Sequence, residues 1–535
     1  MTMVWSPDYL GSPGKMVLSN PLTCTNTPKG DNKLYSDAKG VVPSLDLRFA
    51  EGKNLNDYVS ATPLVDHQRS MSGANLSPGT FVNSSGLIET TKVNLLARSQ
   101  EFNESNWVKA AGGVAAVPSV TANAEIAPDG TLTADRVVFS LNGGTSLSDI
   151  SDLRQTVVTG TGTYTVSFYI RSFDGTSSYS FLLRDGDGLV SLFNVTGSWQ
   201  RIEVSSPNYL AGSKFIGFVL RGGTGTSSSA DILVWGAQLE EGTTATTYIP
   251  TTTSASAAPR FDHNPTTGES LGLLIEESRT NILLNSATLS TQSVTTSATA
   301  YTLSFYGTGT VTLSGTSTAG PLAGTGANDR VTLTFTPTAG TLTLTVTGTV
   351  SNAQLEAGSF PTSYIPTTGT ALTRSADVAS ITGSNFSSWY NPNQGTIYAK
   401  NTYQGTGIQK SFWTLKDSLN NSTDYIGLVV KTSGQLRAAS NKAGALQLFI
   451  NGIGAITEGD NVHTAVALQE NNCAFCTDGG SVLPDTTVLL SDNLERLLIG
   501  YLYDPTVQQL TGHIARLTYF PERLPDSSLQ TMTTP

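Results

Sequence analysis

One duplicated stretch constrains how this chain can be organised. Before residues 259–281 (PRFDHNPTTGESLGLLIEESRTN) the sequence reads KVNLL at 92–96, YTVSFY at 164–169, WQRIEV at 199–204 and WGAQLEEGTTATTYIPTT at 235–252. After it come RTNILL at 279–284, YTLSFY at 301–306, DRVTLTF at 329–335 and NAQLEAGSFPTSYIPTT at 352–368. The offsets at Asn94/Asn281, Tyr164/Tyr301, Arg201/Arg330 and Tyr248/Tyr364 are 187, 137, 129 and 116. They fall steadily, as a duplicated unit losing internal segments requires. Of the 71 positions lost (187 − 116), 50 (187 − 137) lie between the first two anchors, so the second copy is the first one shortened.

Strand periodicity runs through both copies. Tyr164, Val166 and Phe168 alternate with Thr165, Ser167 and Tyr169, and Ile202 and Val204 flank Glu203, which is the period-2 pattern of half-buried strands. Gly-, Asp- and Ser-rich turns separate the runs. In the second copy Val331, Leu333 and Phe335, then Leu342, Leu344 and Val346 across PTAG, read as a hairpin. Residues 396–400, 411–415, 425–430, 445–450, 464–468, 497–501 and 513–519 are expected strands of a jelly roll. PERLPDSSLQTM reads as a short final helix with Asp526 as its N-cap. The expected fold class is all-β, a multidomain string of β-sandwiches and jelly rolls with an irregular N-terminal arm. The expected units are the arm (1–45), a small β connector (46–91), a sandwich (92–258), a connector with the shortened sandwich (259–372) and the jelly roll (373–535).

Charge narrows the function. The net charge is −11 with a pI near 4.9, against the clustered Lys and Arg that nucleic-acid binding needs. Charged residues are 13% of the chain, about half the usual share of about 25%. The three cysteines, Cys24, Cys473 and Cys476, make no disulfide framework. Cys473 and Cys476 sit i, i+3 on an expected strand, which points them to opposite faces and away from a shared metal. The first residues lack a basic stretch followed by an apolar run, so no secretion signal is expected. No apolar run approaches the ~20 residues of a spanning helix, so membrane insertion is not expected.

Four long motifs carry a family resemblance: the 259–281 stretch; the paired GAQLE and NAQLE segments with their TxYIPTT endings; TRSADVASITGSNFSSWYNPNQGTIYA at 373–399; and LTGHIARLTYFPERLPDSSLQ at 510–530. From about residue 44 onward the chain resembles tail-fibre and other appendage proteins of tailed bacteriophages. Its first sandwich resembles carbohydrate-binding modules, and its C-terminal unit resembles the concanavalin A-like, laminin-G-like lectin fold. The resemblance implies a virion component, assembled in the host cytoplasm, that docks to other virion proteins by its N-terminal arm. It further implies contact with host cell-surface polysaccharide or lipopolysaccharide, and a homotrimer. A head fibre or capsid decoration and a polysaccharide depolymerase are the alternative readings.

Sugar binding calls for aromatic faces with polar side chains beside them. Trp107, Trp199, Trp235, Trp389 and Trp413 are available, with Trp199 and Trp235 expected in the core. Tyr501 and Tyr503, in IGYLYDP, are the expected exposed carbohydrate-binding pair. Asp185 and Asp187 in RDGDGL do not complete a calcium loop and read as a turn. Glu276 and Glu277 beside Arg279 read as a surface ion cluster, because adjacent carboxylates do not supply glycosidase geometry. No Gly-x-Ser-x-Gly, HExxH or phosphate loop is present, so no catalytic residue, cofactor or metal is expected and the chain is not read as an enzyme.

Overall fold

The structure, a computed structural model, describes residues 31–73, 75–186, 188–405 and 407–535. It is a multidomain all-β protein, about 49% strand and 4% helix. The expected arm up to residue 30, with Trp5, Tyr9 and Cys24, lies outside the described residues.

Alternating apolar residues close the first sandwich. Val166, Phe168 and Ile170 of strand Gly162–Ser172 meet Phe181, Ile216 and Phe218 across the interior. One five-stranded sheet runs Leu189–Val195, Tyr179–Gly186, Gly212–Arg221, Ile150–Thr159, Trp107–Gly112. The other runs Gln200–Tyr209, Gly162–Ser172, Ser229–Glu241, Ala134–Ser140, Ala116–Glu125.

The shortened copy keeps this order with four strands (Gln292–Thr296, Gly340–Thr347, Thr310–Gly315, Leu322–Ala323) against three (Gly326–Phe335, Tyr301–Gly307, Val350–Ala357). The missing strands correspond to Trp107–Gly112, Ala116–Glu125 and Ala134–Ser140, all within the largest deletion. The expected hairpin is corrected here: Gly326–Phe335 and Gly340–Thr347 belong to opposite sheets. A chain crossing between two facing sheets shows the same alternation as a hairpin, because both strands bury one face in the same core.

The repeated motifs form the same hydrogen bonds in each copy. Asn94 Nδ2 donates to the carbonyls of Ala237 and Ile249, and Asn281 Nδ2 to those of Ala353 and Ile365. Gln155 brackets the Ala97 peptide, accepting from its N–H and donating to its carbonyl; Gln292 does so at Leu284. Gly236 and its counterpart Asn352 both have positive φ, at 64° and 47°, a conformation that Gly and Asn tolerate best.

The jelly roll is discontinuous in sequence, which corrects the linear division at 45, 91, 258 and 372. Its central strand Gly512–Phe520 pairs with Gln394–Asn401 on one side and with both Leu45–Leu47 and Ser270–Ile275 on the other. The facing sheet starts with Asp66–Gln68, which pairs with Val378–Thr382. Leu45, Leu47, Leu273 and Ile275 share one core with Trp413, Ile499 and Leu517. Each sandwich is therefore an insertion, leaving and returning through paired strands: Val93–Asn94 with Ser256–Ala257, and Arg279–Asn281 with Leu372–Arg374. Residues 31–45 are also docked rather than irregular. Leu34 of helix Asp31–Asp37 and Ala38 just after it pack on Leu529 and Met532 of the final helix Asp526–Thr533, whose N-cap is Pro525 rather than Asp526. Cys473 faces the main core and Cys476 faces this helical cluster, so the two thiols lie on opposite sides of their sheet.

Buried ions hold the roots of both insertions. Asp377 accepts from Arg69 Nη1 at 2.6 Å and Arg260 Nη2 at 2.5 Å; Glu276 accepts from Arg260 Nη1 at 2.6 Å and faces Arg374 Nη1 at 3.0 Å. The expected surface cluster at Glu276 is corrected accordingly: Glu276 is 2% exposed. Burial alone would raise its carboxyl, but Arg374 and Arg260 bring it down to about 2.

Candidate functional site

A cleft of about 530 Å³ opens at one end of the jelly roll, within the size range of ligand sites. Its aromatic wall comes from the short helix Gly383–Ser387 and the loop after it. Gly383 has φ +57°, which lets the chain turn out of strand Val378–Thr382 into that helix. Phe386 is thereby tucked inward against Trp389 and Tyr390, with ring centroids 4.9 and 4.7 Å away. Tyr390 stays half-buried, and its hydroxyl makes no hydrogen bond to a described residue. Burial, then the neighbouring Tyr519 and Asp492, push that phenol upward, so it remains a protonated donor.

The opposite wall is polar and fixed by side chains from neighbouring strands. Arg496 donates through Nε to the Asp417 carbonyl at 2.8 Å and through Nη2 to the Leu419 carbonyl at 2.9 Å, which holds the loop bearing Ser418. Lys442 Nζ donates to the Leu490 carbonyl at 2.7 Å and lies 3.3 Å from Asp492 Oδ2, fixing the loop that carries Asp492 and Glu495. The Glu495 carboxylate is exposed and unpaired among the described residues. The half-buried Tyr390 ring, backed by buried Phe386 and lined by two carboxylates and a guanidinium, can cover the apolar face of a sugar ring while bonding its hydroxyls.

The residues expected to bind lie elsewhere. Tyr501 is 4% exposed and hydrogen-bonded to Ser380, and burial pushes its phenol up to about 12; Tyr503 is half-buried. Gly500, at φ +85°, turns the loop back onto the sheet. There Thr414 Oγ1 donates to the Tyr501 carbonyl at 3.1 Å and Ser411 N to the Gln508 carbonyl at 2.8 Å. Tyr501 therefore packs the sheet surface rather than presenting a ring to solvent. Among the tryptophans, Trp107, Trp235, Trp389 and Trp413 are buried and Trp199 is half-buried beneath Arg171. Asp185 is buried and bonded by Ser206, while Asp187 lies outside the described residues. The cleft residues Phe386 and Tyr390 stand in SNFSSWYNPN, whose aromatic cluster beside turn residues was the available signal.

No group of three metal-ligating side chains occurs among the described residues, and no described helix is long and apolar enough to cross a membrane. No protein-family model and no curated protein sequence matches the chain. Solved structures similar to part of it include the CBM40 of Ruminococcus gnavus IT-sialidase bound to α2,3 sialyllactose. That match has 15% identity, covers 27% of this chain and 84% of that one, and has a TM-score of 0.25. A SAP-like pentraxin from Limulus polyphemus has 14% identity over 26% of this chain and 70% of its own, with a TM-score of 0.21. Trypanosoma rangeli sialidase has 14% identity over 29% of this chain and 25% of its own, with a TM-score of 0.23. Likeness at this level carries no information about ligand or reaction.

Proposed function

We propose that this chain is a glycan-binding appendage protein of a bacteriophage particle. In this reading the jelly-roll cleft contacts host surface polysaccharide or lipopolysaccharide, and the N-terminal residues attach the chain, as a trimer, to other virion proteins. The observation that carries the glycan reading is the half-buried Tyr390 ring with the unpaired Glu495 carboxylate in one open cleft. The phage setting rests on the sequence motifs at 259–281, 373–399 and 510–530. The role is binding without cleavage.

The test is binding of the full chain to purified host polysaccharide and lipopolysaccharide. Tyr390→Ala and Glu495→Gln should each weaken binding by about tenfold or more, the loss expected for charge-assisted or aromatic contacts. Tyr501→Phe should leave it unchanged. Equal binding by all three variants would remove the cleft from the proposal, and release of reducing ends by the wild-type chain would replace binding with depolymerisation.

A further inference from the structure

A second cavity, of about 260 Å³, lies where the shortened sandwich meets the jelly roll. Three parts of the fold build it: Phe81 and Asp262 from the roots of the insertions, Tyr306 and Arg330 from the sandwich, Gln404 and His513 from the jelly roll. The duplication shows what Tyr306 has lost relative to its counterpart. In the first copy, Tyr169 pairs in register with Trp235 and packs against its indole at 5.3 Å. In the second copy, Tyr306 takes the place of Tyr169 and pairs in register with Ser351, so the indole is gone. Arg330 repeats Arg201 closely. Arg201 donates to the Thr246 carbonyl and Ser167 Oγ, and Arg330 to the Thr362 carbonyl and Ser304 Oγ. The guanidinium is thus occupied in holding its own sandwich, while the neighbouring tyrosine lines the cavity.

The polar groups here are mixed in kind. Asp262 accepts from Val82 N at 2.6 Å and lies 2.9 Å from His513 Nε2, which leaves each carboxylate oxygen further lone pairs. The Tyr306 hydroxyl and the Gln404 side-chain amide make no hydrogen bond to a described residue. Phe81, Ile88 and Leu274 supply apolar wall. Asp262 faces Arg330, and the other lining carboxylate, Glu276, is matched by Arg260 and Arg374 behind it, so no surplus of either sign is left, and the space is too small for a long chain.

We infer that this cavity is a binding site for a single neutral polyhydroxylated ring, separate from the cleft. Tyr306 and Gln404 bond the ligand directly, and Asp262, oriented by Val82 and His513, accepts from its hydroxyls. This inference stands apart from the glycan reading of the cleft, because different residues carry it.

The experiment titrates the full chain with D-glucose, D-galactose and N-acetyl-D-glucosamine, read by saturation-transfer NMR and calorimetry. At least one sugar should bind with a Kd on the order of millimolar. Tyr306→Phe and Gln404→Ala, which break no bond between described residues, should keep the wild-type Tm and weaken that binding by about tenfold. Tyr390→Ala in the cleft should leave it intact. No signal from any of the three sugars, an unchanged Kd in both Tyr306→Phe and Gln404→Ala, or loss of the signal in Tyr390→Ala would overturn the proposal.

Discussion

Arg260 Nη2 lies 2.5 Å from Asp377 Oδ2, with both side chains fully buried, although 117 residues separate them in sequence. Arg260 is where the chain returns from the first sandwich, and Asp377 is where it returns from the second. The pair ties both returns to one point. Glu276 and Arg374 at the root of the second sandwich, and Arg69 before the first, complete the cluster.

Breaking this cluster from one side should be costly. Asp377→Asn leaves Arg69 and Arg260 buried without their counter-charge, and removal of one partner from a buried pair costs about 3–5 kcal/mol. Urea denaturation should show the jelly-roll transition moving to lower urea, with an unchanged slope.

Acid should act through the same residues. Burial alone would raise both carboxyls, but Arg374 and Arg260 bring Glu276 from its ordinary 4.5 to about 2, and Arg260 and Arg69 hold Asp377 well below its ordinary 3.8. Folded values below unfolded ones contribute stability that is complete above the unfolded values and lost as pH falls through the folded ones. His67 adds a loss of the same sign, since burial lowers its imidazole below 6.5 and the unfolded chain takes up that proton first. Thermal melting should therefore begin to fall near pH 6.5 and steepen between 4.5 and 2. Glu276→Gln should flatten the steeper part.

Discontinuity of the jelly roll gives a contrast between two deletions. A fragment of residues 373–535 lacks strands Leu45–Leu47, Asp66–Gln68 and Ser270–Ile275, and should be unfolded by circular dichroism and proteolysis. A chain in which residues 95–255 are replaced by a two-residue turn should fold, because Asn94 and Ser256 are paired neighbours that a tight turn can join. Folding of the isolated 373–535 fragment would contradict the shared core.

Asn94 and Asn281 should have equal and local effects. Each donates to two buried carbonyls and accepts from two backbone N–H groups, so alanine leaves several buried groups unpaired at about 1–3 kcal/mol each. Hydrogen exchange should accelerate in residues 93–257 for Asn94→Ala and in residues 279–374 for Asn281→Ala, with the jelly roll unaffected.

The sequence carried the local structure well and the long-range structure poorly. The alternation in 164–169 and the apolar run at 425–430 mark real strands, and the duplicated motifs are duplicated hydrogen bonds. Periodicity does not name a partner, however. Leu45–Leu47 reads as an isolated short strand until it is seen beside Tyr519, and PTAG at 337–340 reads as a hairpin turn until its strands are placed in facing sheets. Glu276 was misplaced for a similar reason, since the arginines that allow its burial lie 16 and 98 residues away (276 − 260 and 374 − 276). Tyr501 reads as an exposed ring because IGYLYDP follows a strand, but Gly500 folds the loop back. Tyr390 stands in the aromatic cluster of SNFSSWYNPN, but the sequence does not say which of those rings stays half-buried.

The placement of strand Gly512–Phe520 in the middle of its sheet sets an order on biosynthesis. On a ribosome the two sandwiches emerge whole, each with its own core, and can fold as they appear. The domain that carries them must wait, holding its early segments open until Gly512–Phe520 is made. A message truncated before Gly512–Phe520 would therefore yield two finished modules on an unfinished base.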